Sequence, residues 1–232
     1  KPPNGVSSNG VSIVHNENKL KVALEHAENV SKGRGYLIEE YIEGTLHDVN
    51  GYWSRGAFYP CGVADKYTSD KHYPYSESVI CPSQLSQAKQ NELYSLLESA
   101  SNLMGINNGP VKGDCILGQN QKLYIIELSP RFHGPVGSIF SFPYVYRKHP
   151  MDLYLNSILG NKPECIDAYS QTYGYAITRS IQFSPGRIVS ISGIDDLIQR
   201  SDVLLVNTNL KAGNMLNKRQ SNNDSHIRIT FT

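Results

Sequence analysis

The sequence lacks three features that would assign a protein class at once: a long apolar run, a strong net charge and closely spaced cysteines. No apolar run approaches the ~18–20 residues that a membrane-spanning helix needs. The formal net charge is +1 over 232 residues. Composition therefore gives no electrostatic reason to expect a nucleic acid or an anionic membrane surface as a partner.

The four cysteines are scattered, and the chain begins on a polar stretch, KPPNGVSSNG. Cys61, Cys81, Cys115 and Cys165 form no C-x-x-C pair, which argues against a zinc site or a dithiol redox motif. A polar start is not a secretory signal peptide. Scattered thiols without a targeting segment are typical of a reducing compartment, so we predict a cytoplasmic location. Because the chain does not start with Met, we expect a fragment or a processed form.

Hydrophobic periodicity predicts three helices. In residues 17–31 the apolar side chains recur at helical spacing and lie on one face. A second helix is predicted from a cap at Ser86 to about Met104, with Gly105 ending it. A third begins at Pro150 and stops near Gly160.

Short β-prone runs predict the strands. They are residues 36–42, two strands within 48–65, a hairpin formed by VKGDCIL and KLYIIEL, and residues 175–183, 186–193 and 202–208. Two stretches are predicted as loops, residues 67–83 and the segment GPVGS at 134–138. The fold class predicted is α+β, an antiparallel sheet flanked by helices, with a β-rich C-terminal piece.

The hairpin carries the most informative polar residues. Asp114 lies in its first strand and Glu127 in its second, so the two carboxylates can face each other across the ladder. Opposed carboxylates repel unless a cation lies between them, and paired oxygen ligands suit Mg²⁺. Ser129 points to the face of Glu127, and Arg131 adds a planar donor fork that fits a phosphate. The simpler alternative is a Glu127–Arg131 salt bridge at a strand end.

The beginning of the chain adds a weaker signal. Lys1 precedes a loop of small residues, in which backbone N–H groups could approach phosphate oxygens. The order differs from the P-loop pattern G-x-x-x-x-G-K-[ST]. This loop alone therefore predicts little.

Taken in order, these pieces resemble the ATP-grasp superfamily. They are KP…SSNGV, LIEEYIEG, GPVKGDCIL and YIIELSPR, followed by GPVGS and HPMDLYLNSILG, and they cover roughly residues 1–160. Within the superfamily the chain is most similar to carboxylate–amine ligases related to the large chain of carbamoyl-phosphate synthase, or to ligases of L-amino acids. The expected fold is the ATP-grasp fold.

The resemblance implies a role for each matched residue. It implies that Lys1 contacts the nucleotide phosphates and that a lid loop covers them. The implied nucleotide-binding residues are Lys1, Ser8, Asn9, Gly10, Glu39, Glu40, Tyr41, Ile42 and Lys66. Glu39 would accept from the adenine amino group, residues 40–42 would supply the hinge backbone, and Lys66 would reach phosphate or substrate.

The metal and catalytic residues follow from the same resemblance. Asp114 and Glu127 would bind Mg²⁺, with Mn²⁺ as an alternative, and Ser129 would add an oxygen. Arg131 would be the catalytic residue that holds the transferring phosphoryl group. Two departures stand out: Leu46 replaces the ribose-binding carboxylate, and Ser129 replaces the usual Asn.

The resemblance also implies an organisation and a reaction. Residues 1–42 would be part of the lid subdomain, 43–163 the core subdomain with the metal site, and 164–232 a β-rich C-terminal subdomain. The family's first α/β domain is not in this sequence, so we expect the C-terminal part of a larger enzyme.

The reaction expected is ATP-dependent phosphorylation of a carboxylate to an acylphosphate, followed by attack of an amine. Two alternatives remain: an enzyme similar to biotin carboxylase or to purine-pathway ligases, and a nucleotide-binding remnant without turnover. The partners expected are small-molecule carboxylates and amines, with no nucleic acid and no membrane, and a homodimer is a candidate assembly.

Overall fold

The computed structural model describes residues 1–68, 73–219 and 221–232. Its main feature is one eight-stranded sheet in the order β5-β4-β1-β2-β3-β6-β10-β8, in which every neighbouring pair is antiparallel. The strands of the chain are β1 (Gly44–Ser54), β2 (Ala57–Thr68), β3 (Ser76–Cys81), β4 (Gly109–Gly118), β5 (Leu123–Ser129), β6 (Ala176–Ile181), β7 (Gly186–Arg187), β8 (Val203–Thr208), β9 (Met215–Leu216) and β10 (Ile227–Phe231). Strands β7 and β9 form a separate two-stranded pair.

The helices are short, apart from two. They are α1 (Leu20–Ser31), α2 (Gln87–Leu103), α3 (Phe142–Tyr146), α4 (Pro150–Ile158) and α5 (Ile194–Ile198). A 3-10 turn at Glu17–Lys19 leads into α1, a π-helical turn at Val136–Ser141 leads into α3, and a 3-10 turn covers Asn222–Asp224. Among the described residues, none of these helices has the length and apolar character needed to span a bilayer. The antiparallel sheet flanked by helices confirms the predicted α+β class.

Two clusters of buried side chains hold the sheet to its helices. Helix α2 packs Leu93 and Leu97 against Val49, Val63 and Val111 of the central strands. The indole N–H of Trp53 donates to the Ser101 hydroxyl at 2.9 Å, which fixes β1 to the end of α2. A second cluster joins β1, β2 and β6 to α3 and α4. Burial of these apolar side chains provides most of the stabilisation of the sheet.

Local sequence chemistry accounts for the element boundaries near the site. Ser86 accepts a hydrogen bond from the Lys89 N–H, so it caps α2 as predicted. The β1–β2 hairpin turns at Arg55 and Gly56, with φ of 53° and 77°. Two consecutive left-handed residues form the tight turn that matches strand twist. The predicted helices at 17–31, 86–104 and 150–160 and the two predicted hairpins are confirmed.

Four predictions of local structure are wrong. Residues 36–42 belong to no strand of the described chain, because a β-prone segment needs a neighbouring strand to pair with. Residues 76–81 of the predicted 67–83 loop form β3, since β2 and β6 pair with them on both sides. Residues 69–72 of that prediction lie outside the described part. The predicted strand at 186–193 keeps only Gly186–Arg187.

The fourth error is the GPVGS loop, which turns helically from Val136 onward. Gly137 allows this helical turn to lie against His133, because a Cβ at Gly137 would lie 2.3 Å from His133 Nδ1. The missing side chain lets the helical turn close over the histidine ring. The strands β6, β8 and β10 extend the same sheet as β1–β5. The three-part division at 42/43 and 163/164 stays a prediction.

Candidate functional site

Three neighbouring strands place three carboxylates in a row. Asp48 of β1 is paired with Asp114 of β4, and Asp114 is paired with Glu127 of β5. Directly opposed residues of an antiparallel pair project from the same face of the sheet. The predicted facing of Asp114 and Glu127 is therefore confirmed, and Asp48 joins them as a third carboxylate.

Two lysine ammonium groups lie between the first two carboxylates. Lys66 Nζ is 2.9 Å from Asp48 Oδ1, and Lys112 Nζ is 3.1 Å from the same oxygen. Both lysines also bind Asp114, Lys66 through Oδ1 and Lys112 through Oδ2. Asp48 is fully buried, and Lys112 is 5% exposed. Such a dry environment strengthens each ion pair, because little water screens it.

His133 closes the cluster from the loop after β5. Its Nε2 lies 2.7 Å from Asp48 Oδ2, and its Nδ1 lies 3.2 Å from the Gly134 carbonyl oxygen. The backbone N–H of His133 donates to Asn50 Oδ1 at 2.8 Å. Since Asn50 is two residues from Asp48 on β1, one strand fixes both the backbone and the ring of His133. We call Asp48, Lys66, Lys112, Asp114 and His133 the charged cluster.

Electrostatics separates the two aspartates of the charged cluster. Burial would raise the pKa of Asp48, but Lys66, His133 and Lys112 outweigh it, so this pKa lies well below its usual range. Burial and the negative charge of Asp48 raise the pKa of Asp114 above its usual value. The pKa of Lys66 is raised by Asp48 and Asp114 against the effect of its own burial. Asp48 is thus the fixed anion around which the lysines are held.

Glu127 lies at the solvent-facing end of the row. It is exposed, and the Ser129 hydroxyl donates to its Oε1 at 3.3 Å, as expected for two residues on one face of a strand. Arg131 is also exposed, and its guanidinium donates to the Phe132 carbonyl oxygen at 3.0 Å. Both residues belong to the described chain, and no ion pair joins them. The alternative of a Glu127–Arg131 salt bridge is therefore not what this strand end forms.

The predicted residues at the beginning of the chain form a second, separate group. Lys1 Nζ lies 2.7 Å from Glu39 Oε2, so these two residues pair with each other. Lys1 and Leu37 also exchange backbone hydrogen bonds, at 2.7 Å and 2.8 Å. Glu39, Glu40 and Tyr41 are exposed. Within the described residues, no hydrogen bond or ion pair joins Lys1, Ser8–Gly10 or residues 39–42 to the charged cluster, Glu127, Ser129 or Arg131.

Gly10 has a packing reason to be glycine. Its φ is +77°, and a Cβ there would lie 3.0 Å from atoms of Pro2 and Val30. Both facts exclude a larger residue without rearrangement. The contact joins the loop to α1, so the nucleotide role of Gly10 stays a prediction while its structural role is plain.

Asp114, Glu127 and Ser129 have the oxygen atoms that a divalent cation prefers, but they are too few to complete its coordination shell. Asp114 and Glu127 offer hard oxygens on one face, and Ser129 offers a third. Within residues 1–68, 73–219 and 221–232, no three His, Cys, Asp or Glu side chains are grouped to hold a metal ion by themselves. Such a pair suits Mg²⁺, which commonly takes one or two carboxylates and completes its shell with water and phosphate oxygens. Asp114, Glu127 and Ser129 as metal ligands stay a prediction.

Sequence reasoning missed three members of the charged cluster: Asp48, Lys112 and His133. A signal was present for two of them, since D-x-N at 48–50 and K-x-D at 112–114 each put two polar residues on one face of a buried strand. For His133 no local signal existed. It comes from a loop, and the contact with Asp48 spans 85 positions of sequence.

Comparison with known proteins gives the family of the chain. Residues 1–138 match the family model described as an ATP-grasp domain. The chain belongs to the ATP-grasp family, whose fold supplies this antiparallel sheet and its flanking helices.

Two curated relatives are D-alanine–D-alanine ligases. That of Buchnera aphidicola subsp. Schizaphis graminum is 30% identical over 133 residues, which cover 56% of this chain and 42% of the relative. That of Desulfotalea psychrophila is 27% identical over 135 residues, covering 55% and 41%. The chain therefore spans less than half the length of these relatives.

Solved structures with the same fold come from several enzymes. The L-amino acid ligase from Bacillus licheniformis superposes with a TM-score of 0.78 at 21% identity, over 100% of this chain and 56% of that one. The biotin carboxylase domain of Hydrogenobacter thermophilus 2-oxoglutarate carboxylase, a dimer solved with ADP, magnesium and bicarbonate, gives 0.69 at 16% identity, over 100% and 52%. Phosphoribosylglycinamide synthetase from Anaerococcus prevotii gives 0.60 at 17% identity, over 97% and 65%.

Proposed function

We propose that this chain is the nucleotide- and metal-binding part of an ATP-dependent carboxylate–amine ligase. The observation that carries the proposal is the charged cluster, in which two ammonium groups are fixed by a buried aspartate beside an opposed pair of carboxylates. Phosphoryl transfer to a carboxylate brings several negative charges together, and positioned cations are what such a reaction needs. The ligases among the relatives and structural neighbours support the proposal.

In the proposed reaction, a carboxylate takes the γ-phosphoryl group of ATP to give an acylphosphate, and an amine then displaces phosphate. Lys66 and Lys112 would bind the anionic reactants and lower the repulsion between them. Arg131 would hold the phosphoryl group with its planar donor fork. Lys1, the loop at Ser8–Gly10 and residues 39–42 would bind the nucleotide.

Asp114 and Glu127, with Ser129, would hold Mg²⁺, for which Mn²⁺ could substitute. When bound, the ion supplies charge neutralisation at phosphate oxygens, worth several kcal/mol. The protein residues would contribute orientation and exclusion of water. Small-molecule carboxylates and amines are the partners proposed, and a homodimer is the assembly proposed.

A thermal-shift titration of this chain with ADP and ATP, with and without Mg²⁺, tests the proposal. A ligand that binds only the folded state raises stability by RT ln(1 + [L]/Kd), about 2.7 kcal/mol at one hundred times Kd. We expect a shift that needs Mg²⁺ and disappears in Glu127→Gln. Glu98→Gln, an exposed glutamate of α2, is the matched control and should keep the shift.

An unchanged nucleotide affinity in Glu127→Gln would contradict the metal assignment. If the chain alone gives no shift, the same titration on the full-length protein decides the matter. A shift there indicates a site completed by residues outside this chain. No shift in either would contradict the proposal. A shift without any ADP release by the full-length protein would favour the second candidate, a nucleotide-binding remnant without turnover, for which Leu46 and Ser129 are the arguments.

The carboxylase and synthetase neighbours support a further candidate within the family. A biotin-carboxylase-like enzyme would phosphorylate bicarbonate, and a purine-pathway enzyme another small carboxylate. ADP release by the full-length protein should be measured with bicarbonate, with amino acids alone and with amino acid pairs. The pattern of release distinguishes the carboxylate–amine ligase from the biotin-carboxylase-like and purine-pathway enzymes. Release that needs both a carboxylate and an amine supports the ligase.

A further inference from the structure

The loop Val6–Gly10 has a backbone that its residues rarely adopt. Ser7 and Ser8 have φ of 57° and 59°, both in the left-handed region. The Asn9 N–H donates to the Val6 carbonyl oxygen at 3.0 Å, which closes a four-residue turn around the two serines. Turns with two left-handed central residues usually contain Asn, Asp or Gly. Serines therefore need outside contacts to stay in this conformation.

Those contacts come from Asn222 and Asn223, more than 200 residues away in sequence. The Asn222 backbone N–H donates to the Ser7 carbonyl oxygen at 2.7 Å. Its side-chain Nδ2 donates to the Ser8 hydroxyl oxygen at 3.0 Å. The Ser7 hydroxyl donates to Asn223 Oδ1 at 3.1 Å. Both strained serines are thus held by direct hydrogen bonds.

Asn222 is itself fixed to the large sheet. Its Oδ1 accepts from the Ser76 backbone N–H of β3 at 2.7 Å and from the Arg219 guanidinium at 3.2 Å. Its carbonyl oxygen accepts from Arg228 of β10 at 3.0 Å. The amide group of Asn222 therefore spans the gap between the sheet and the loop, with its oxygen bound on one side and its nitrogen on the other.

A second set of contacts joins the same parts of the molecule. The His26 ring of α1 packs edge-on to Tyr73 at 5.7 Å between centroids, and Tyr73 stacks on Tyr75 at 5.9 Å. The Arg219 guanidinium lies 4.8 Å from the centroid of Tyr75. The aromatic row starts on the helix that follows the loop and ends three residues before Asn222. Two sets of contacts, which share Arg219, thus hold the N-terminal segment to the same C-terminal residues.

We propose that Asn222 is a positioning residue for nucleotide phosphates, acting through the loop Val6–Gly10. This inference rests on the proposed function, which assigns Ser8, Asn9 and Gly10 to the phosphates. Because the Ser8 oxygen accepts from Asn222, its own proton remains to be donated to another oxygen. Asn222 thereby fixes both the backbone of the loop and the direction of one donor, without itself touching the nucleotide.

The test is steady-state kinetics of the full-length protein that contains this chain. Asn222→Ala removes the bond to Ser8, the bond from Ser76 of β3 and the bond from Arg219. We expect its KM for ATP to rise about tenfold, the effect of one lost hydrogen bond and a loosened loop. We expect kcat and the KM for the carboxylate to stay within twofold. Asn207→Ala, an exposed asparagine of β8 on the same sheet, is the matched control and should leave all three unchanged.

Asn223→Ala removes only the Ser7 contact and serves if Asn222→Ala folds poorly. Its KM for ATP should rise by a smaller factor, about threefold. Amide exchange at Asn9 should quicken in both variants, because the turn they support opens more often. A merely structural role would instead lower the amount of active enzyme and leave the KM for ATP alone.

The outcomes separate the two proposals. If the wild-type protein releases ADP with its substrates but the KM for ATP is unchanged in both variants, the role of Asn222 is wrong and the proposed function stands. If the wild-type protein neither binds nor turns over ATP, the proposed function fails and the inference fails with it.

Discussion

Two buried aspartates on adjacent strands of this sheet have opposite surroundings. Asp65 of β2 and Asp48 of β1 are 6% and 0% exposed, and they lie on opposite faces. Asp65 accepts from Ser83 Oγ at 2.5 Å and from the Gln84 N–H at 2.8 Å, and its Oδ1 lies 2.8 Å from His47 Nδ1. The carboxylate of Asp65 is therefore bound by neutral or histidine donors, and within the described chain none of its ion pairs involves a lysine or an arginine.

Asp48, in contrast, is in contact with two lysines and a histidine. Its Oδ1 is held by ion-pair contacts with the lysines rather than by an aligned hydrogen bond. Buried ion pairs are expensive to assemble, and apolar residues of similar volume often serve stability equally well. The partners of Asp65 are those that stabilise a buried carboxylate in the fold, whereas the two lysines paired with Asp48 are the groups that the proposed function assigns to anionic reactants.

The largest effect should follow from removing a cation of the charged cluster. In Lys112→Met we expect ATP-dependent ADP release by the full-length protein to fall on the order of 10²–10³-fold, as for loss of one electrostatic donor at a reacting group. Asp48 and Asp114 would then share Lys66 as their one remaining lysine, and this unbalanced buried charge should also lower the free energy of unfolding by ~3 kcal/mol.

Lys112→Arg is the matched control, since it keeps the charge, and it should recover most of the stability. Chemical denaturation and the ADP-release assay on the same preparations check both parts. If Lys112→Met keeps an activity per folded molecule within a few-fold of wild type, the prediction is wrong. The surroundings of Asp48 would then serve stability alone, like those of Asp65.

The same contrast explains what the sequence could predict. The hairpin around Asn120 and the opposition of Asp114 and Glu127 were predictable, because strand alternation and turn chemistry are local. The bounds of α2 were predictable for the same reason, from Ser86 at one end and Gly105 at the other.

The charged cluster was not predictable, because it depends on strand order. Asp48 meets Asp114 only because β1 lies between β2 and β4 in the sheet. His133 is packed under the helical turn that begins at Val136. Gly137 permits this turn, but no hydrophobic periodicity in the sequence predicts it. The same applies to the contact of Asn222 with Ser8, 214 positions apart. The error at residues 36–42 arose the other way, since a β-prone sequence found no strand to pair with.

A smaller effect, on stability alone, should follow from changing Asp65. In Asp65→Asn we expect the free energy of unfolding to fall by about 1–3 kcal/mol at pH 7, because the amide cannot accept from all the donors that the carboxylate satisfies. Activity per folded molecule should stay within twofold. Denaturant melts combined with active-site titration would show both, and a loss of activity larger than the loss of folded protein would contradict the assignment of Asp65 to the fold.

The pKa of Asp65 predicts how the stability of the wild type and of Asp65→Asn should differ with pH. Burial would raise this pKa, but His47, Gln84 and Ser83 outweigh it and hold it below the usual 3.8. A depressed folded-state pKa contributes stability that is present above the unfolded value and lost as pH falls through the folded one. Below about pH 4 the wild type should lose stability more steeply than Asp65→Asn. Asp48, whose pKa is also lowered, should leave part of the slope in the variant.

The smallest effect on stability should come from changing Thr45, which contacts His47 on the side of the ring away from Asp65. Its Oγ1 lies 2.7 Å from His47 Nε2, and the residue is exposed, so water can replace the hydroxyl. Thr45→Val keeps the side-chain shape and should lower the free energy of unfolding by less than about 1 kcal/mol, with unchanged activity. Asp65→Asn/Thr45→Val should cost less than the sum of the single changes, because His47 couples them. Additive costs would show that His47 does not couple Thr45 to Asp65, and would contradict this prediction.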